Sequence, residues 1–129
     1  MKKILIGTHN KGKLRELSYL LPKKIKKISP IDLKINSPKE TGKTFVQNAK
    51  LKAKYFSGFT KLPVISDDSG LCIEALHGKP GVLSARWAQK YGSFKKAMKV
   101  ILKKIKNKKN RSATFVCSLS FINSRGKIF

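Results

Sequence analysis

The 129-residue chain carries 30 Lys and Arg against 6 Asp and Glu, a formal charge of +24, with 40% hydrophobic residues. That length suits one domain around one core. No run of about 18 apolar residues is available to span a bilayer, and the apolar run in "MKKILIGTHNKGK" is too short for a secretory signal, so the expectation is a soluble, cytoplasmic protein without a membrane partner.

In chain order, "KILIG" (Lys3 to Gly7) reads as a buried strand. Leu14, Leu17, Leu20 and Leu21 then recur at helical spacing until Pro22. "KKIKKIS" is a candidate second strand, and "INSPKETG" is rich in turn formers. Thr44 with Gln47 three residues on is a capping box, and Phe45, Ala49, Ala53 and Phe56 follow on one helical face, with Gly58 as the stop. "LPVIS" reads as a third strand and "LCIEAL" as a short strand beyond an acidic turn at Asp67 and Asp68, followed by a loop at "HGKPGV". Phe94, Ala97, Met98, Ile101, Leu102 and Ile105 mark a third amphipathic helix. "SATFVCSLSFI" alternates with Ala113, Phe115, Cys117, Leu119 and Phe121 on the side expected to be buried, and "GKIF" begins a returning hairpin strand. Strands alternating with helices give an α/β class in a single domain, residues 1–129. Cys72 and Cys117 lie in apolar runs without metal-ligand spacing and read as reduced core residues.

The lysine excess raises the alternative of a basic nucleic-acid-binding module. Lysine supplies 26 of the 30 cations, is scattered through every segment, and forms runs at Lys23 to Lys27 and Lys103 to Arg111 that contain no aromatic residue. Nucleic-acid readers combine a basic face with Arg forks or interleaved aromatics. The surplus therefore reads as a solvated surface that also attracts phosphate-rich ligands, and nucleic acid is not the expected partner.

Two segments carry chemistry. Gly7 to Lys13, "GTHNKGK", satisfies G-x-x-x-x-G-K between a strand and a helix. Leu14 stands where a P-loop needs a hydroxyl for Mg²⁺, so an ordinary P-loop NTPase is excluded. A strand-to-helix turn still directs backbone N–H groups and the positive end of the helix dipole at one spot; Thr8 and Asn10 add hydrogen-bonding groups, and Lys11 and Lys13 add charge. A phosphate site is the functional reading, and a tight turn with surface lysines is the alternative. The second segment is the carboxylate pair Asp67 and Asp68. Neighbouring side chains on a strand project to opposite sides, so one can brace the chain while the other holds Mg²⁺ or accepts a proton from water. An Asx-type turn is the structural alternative.

Three motifs occur in order: "TxNxGK", "ETGxTFxxNAxxKA" (Glu40 to Ala53) and "DDSGLxxxALxGxPGVxSAR" (Asp67 to Arg86). Together they closely resemble the Ham1/RdgB family of inosine and xanthosine triphosphate pyrophosphatases. The resemblance implies an elongated α/β fold around a long mixed sheet, a homodimer, and Mg²⁺-dependent hydrolysis of ITP, dITP and XTP to the monophosphate and pyrophosphate. It assigns Thr8, His9, Asn10, Lys11, Gly12 and Lys13 to gripping phosphate, with His9 standing where many members have glycine. Lys52 becomes a second phosphate-facing cation, Ser69 a substrate contact, Glu40 a magnesium ligand, and Asp68 the general base close to the metal, supported by Asp67. The family's later "FGYDP"-like and "SHR"-like motifs do not occur, which implies a chain lacking the family's C-terminal segment and leaves an inactive nucleotide-binding remnant as an alternative.

Overall fold

The structure, a computed structural model, describes residues 1–129. Its elements are β1 (Lys3–Ile6), α1 (Lys11–Leu20), β2 (Lys26–Ile28), α2 (Phe45–Ser57), β3 (Val64–Ile73), β4 (Lys79–Pro80), α3 (Ser84–Tyr91), α4 (Phe94–Lys104) and β5 (Ala113–Ile122), with single 3₁₀ turns at Glu74–Leu76 and Gly81–Leu83. The five strands form a mixed sheet in the order β2-β1-β3-β4, with β5 pairing to β3. β1 runs parallel to β2, with Leu5 opposite Ile28, and to β3, with Leu5 opposite Val64. Parallel neighbours need crossover connections, and α1 and α2 supply them. β4 is antiparallel to β3. No helix is long and apolar enough to cross a membrane.

The chain divides into two compact units, Met1–Asp68 with Ser118–Phe129, and Ser69–Cys117. The first is built on Leu5, Ile35, Phe56 and Val64, with Ile28 and Tyr55 packed against them. α2 begins as its sequence dictates: Thr44 Oγ1 accepts from the Gln47 N–H at 3.1 Å, and Gln47 Oε1 accepts from the Lys43 N–H at 2.8 Å. At Gly7 the backbone comes so close to Ser66 Oγ and the Phe56 ring that no Cβ fits. The Gly7 N–H donates to Ile65 O at 2.7 Å, and Ser66 Oγ–H donates to Gly7 O at 3.2 Å. This sews the exit of β1 to β3. The expected returning strand is present as a short hairpin, with Phe121 and Phe129 exchanging backbone hydrogen bonds of 3.1 and 2.8 Å.

The second unit packs Ile73, Ile101 and Ile105, flanked by Leu71, Ala75, Leu76 and Trp87. α4 is capped by Ser93, whose Oγ accepts from the Lys96 N–H at 3.0 Å.

The structure departs from the sequence expectations in four places. "DDSG" is not a turn: β3 is one ten-residue strand running straight through it. Pairing with β1 at Val64 and Ile65 and with β4 at Cys72 and Ile73 holds both ends of that strand extended. β5 alternates as expected but packs its other side, with Ser120 and Ile122 buried and Phe115 76% exposed. Accordingly Cys117 is exposed and Cys72 half-buried, both as free thiols, and neither is a core residue. α3 occupies "SARWAQKY", outside the elements expected from the sequence. On α4, Ala97 and Ile101, with the C-cap residue Ile105, turn inward, while Phe94, Met98 and Leu102 stay exposed.

Candidate active site

The chain leaves β1 at Ile6 and enters α1 at Lys11, with Asn10 as the N-cap. Asn10 Oδ1 accepts from the N–H groups of Gly12 (2.9 Å) and Lys13 (3.1 Å). The Asn10 N–H in turn donates to Oγ1 of buried Thr8 at 3.1 Å. Gly12 and Lys13 therefore lie in the first helical turn, and the amides expected to face phosphate are held by the Asn10 carboxamide. Lys11 is exposed. His9 directs its ring to Ile35 and Ser37. The Lys13 ammonium reaches Asp67 Oδ2 at 3.0 Å, with the lysine side chain 25% exposed and the aspartate 5%.

α2 supplies the other half. Asn48 and Lys52, one turn apart on the same helical face, are both buried. Lys52 Nζ lies 3.2 Å from Glu40 Oε1; here the lysine side chain is 8% exposed and the glutamate 33%. Asn48 Nδ2 donates to Asp68 Oδ2 at 3.1 Å and to Gly42 O at 3.3 Å, while its Oδ1 accepts from the Gly42 N–H at 2.7 Å. A Cβ on Gly42 would stand 2.5 Å from that same Oδ1, so a glycine is required where the chain bearing Glu40 closes on α2. The helix thus aims an amide at one carboxylate and an ammonium at another.

The adjacent carboxylates coexist because each meets its own partner, Asp67 an ammonium and Asp68 an amide. Burial pushes the Asp68 carboxyl above the ordinary value of 3.8, and the negative charge of Glu40 adds to the rise. The Asn48 hydrogen bond, Lys52 and Lys13 pull the other way. Glu40, Lys13, Lys52 and Asp68 therefore form one electrostatic neighbourhood. Ser69, half-buried, begins the second unit.

Asn48 is the site residue that sequence reasoning passed over. Its signal was a polar residue among the apolar positions of α2, four before Lys52.

No group of three or more His, Cys, Asp or Glu side chains is placed to hold a metal ion. Two carboxylates in one neighbourhood nonetheless suit Mg²⁺, which is held by one or two carboxylates together with substrate phosphates and water. The donor set fits a cation that arrives with its ligand and does not fit a resident all-protein cage.

Comparison with known proteins matches the Ham1 family model over residues 4–129. A dITP/XTP pyrophosphatase of Leptospira interrogans is 38% identical over 124 residues, spanning 95% of this chain and 63% of the relative. That of Haemophilus influenzae is 43% identical over 124 residues, spanning 94% and 64%. The chain thus spans about 63% of the length of such relatives. Among solved structures, a HAM1 protein from Coxiella burnetii superposes with a TM-score of 0.86 at 35% identity, covering 99% of this chain and 68% of that one. The Ham1 protein of Staphylococcus aureus gives 0.85 at 33% identity, covering 99% and 67%. With the three motifs in order, a family model matched almost end to end and a shared fold, the chain belongs to the Ham1 family.

Proposed function

We propose that this chain binds a non-canonical purine nucleoside triphosphate of the dITP, XTP and ITP class together with Mg²⁺, and cleaves the α–β phosphoanhydride to give the monophosphate and pyrophosphate. The observation that carries the reading is a buried carboxylate, Asp68, with a raised pKa, in one electrostatic field with a reachable cation, Lys13, and a reachable carboxylate, Glu40. The likeness to dITP/XTP pyrophosphatases at 38% and 43% identity supports dITP and XTP as substrates, and the motif resemblance adds ITP.

Each residue then has a task. Asp68 takes the proton of the attacking water; a carboxylate whose pKa is raised is a stronger base. Asn48 fixes the orientation of that carboxylate by donating to Oδ2. Lys13 exchanges Asp67 for a phosphate oxygen, and the exposed residues Lys11 and Gly12 flank the approach. Lys52 holds Glu40 in place and adds positive charge behind it. When bound, Mg²⁺ supplies positive charge that offsets the carboxylates and the developing charge on the phosphate oxygens. The homodimer and cytoplasmic location implied by the family resemblance belong to the same reading, and sedimentation and cell fractionation check them.

The test incubates the protein with dITP, XTP, ITP and dATP, in Mg²⁺ and in excess chelator. The expected result is pyrophosphate and monophosphate from the first three, in Mg²⁺ only. Equal rates in chelator would remove the metal from the proposal, and no pyrophosphate from any of them would overturn the reaction.

A further inference from the structure

We propose that His9 is a positioning residue, a fastener that fixes the distance between the phosphate loop and the segment carrying Glu40. The inference rests on the site assignment made above.

His9 sits between Thr8, which anchors the loop, and Asn10, which caps α1. Its ring leaves the loop altogether. Nε2 lies 2.8 Å from Ile35 O and Nδ1 lies 2.8 Å from Ser37 Oγ, while the ring leans on Phe56 with centroids 6.0 Å apart. A backbone carbonyl only accepts, so Nε2 must carry the proton. In the neutral ring Nδ1 is then the acceptor, and Ser37 Oγ–H donates to it. One neutral tautomer satisfies both contacts, and neither ring nitrogen remains to touch a substrate.

The partner segment is itself rigid. Ser29 and Asp32 cap one another through bonds of 3.0 and 3.2 Å, the Ile35 N–H donates to Pro30 O at 2.9 Å, and the Ile35 side chain lies in the core with Phe56. Ser37 is three residues before Glu40, with Pro38 between them restricting the backbone. His9 therefore ties a rigid turn to the phosphate loop just before the chain reaches Glu40. It adds a direct tie from the loop to this segment, beside the links that Asn48 makes from Gly42 to Asp68.

The test uses three variants and two readouts. His9→Ala removes both contacts, His9→Gln keeps an N–H that reaches Ile35 O, and Ser37→Ala removes the second contact only. Steady-state kinetics on dITP should show KM raised roughly tenfold in His9→Ala, about the size of one lost hydrogen bond, with kcat changed less. His9→Gln should recover most of that loss, and Ser37→Ala should change KM the least. A His9→Ala variant with parental KM and only a lower melting temperature would mean a purely structural role, and would overturn the proposal.

The second readout needs no turnover, so failure of the proposed activity is told apart from failure of this inference. Nitrogen NMR of the ring should show a proton on Nε2, and hydrogen exchange at residues 34–37 should accelerate in His9→Ala while α2 stays protected. A ring without a proton on Nε2, or unchanged exchange at residues 34–37, overturns it.

Discussion

The two ion pairs of the site are mirror images in their burial. In Lys13–Asp67 the carboxylate is buried and the lysine is reachable; in Lys52–Glu40 the lysine is buried and the carboxylate is reachable. A pair with one buried member offers only the other to a ligand. The first pair thus presents a cation, suited to phosphate, and the second an anion, suited to a metal ion. A metal-bound triphosphate carries both complementary charges in one molecule. A ligand of a single sign would use one pair and leave the other idle.

The sharpest way to break this comparison is at the residue both pairs influence. Asp68→Asn keeps the shape and still offers an acceptor to Asn48, but it cannot take a proton. Turnover of dITP should fall by roughly 100-fold or more while nucleotide binding largely persists. Parental kcat in this variant would remove Asp68 from the base role.

The next effects are on stability, and they are asymmetric. Removing the reachable member of a pair takes this counter-charge from a buried ion, which costs about 3 kcal/mol in buried pairs; partial exposure of Lys13 and Glu40 places the expected loss for Lys13→Met and Glu40→Gln nearer about 2 kcal/mol. Removing the buried member, by Asp67→Asn or Lys52→Met, should cost less than about 1 kcal/mol, because the remaining charge can turn to water. Urea titration of the four variants decides it, and equal losses within each pair would refute the mirror-image account.

The smallest effect is a slope. A carboxyl whose folded pKa is raised binds its proton more tightly in the folded state. Its contribution to stability is therefore fully present below the unfolded value near 3.8 and is lost as pH rises through the higher folded value. The parent should thus lose stability relative to Asp68→Asn as pH rises through that window. The acid limb of the activity profile should likewise lie above 3.8. Parallel stability curves for the two proteins would count against the buried carboxylate.

Much of this site is legible in sequence because it is written in local rules. Thr44 and Gln47 announce the start of α2, and Gly7 to Lys13 announces a strand-to-helix turn; both follow from backbone groups within a few residues. What escapes is decided elsewhere in the chain. Asp67 and Asp68 look like a turn until β1 and β4 hold the flanking residues extended. Alternation along β5 shows that Phe115 and Ser120 face opposite ways, but which side packs depends on the layers around it. α3 has no side-chain cap at Leu83 and follows directly on a 3₁₀ turn, so it lacks the signal that revealed α2.

The Asn10 cap has a consequence for selectivity. Its carboxamide accepts from the amides of Gly12 and Lys13, so under the proposed function it would act as a tethered competitor for the phosphate position. A ligand gains there only the difference between its own bond and the one it displaces, and a charged oxygen bonds an amide roughly twice as strongly as a neutral one does. Uncharged nucleosides gain nothing from the exchange, whereas a polyphosphate does. An aspartate at position 10 would cap the helix as well but add a fixed negative charge at the same place, turning a competitor that yields to phosphate into one that repels it.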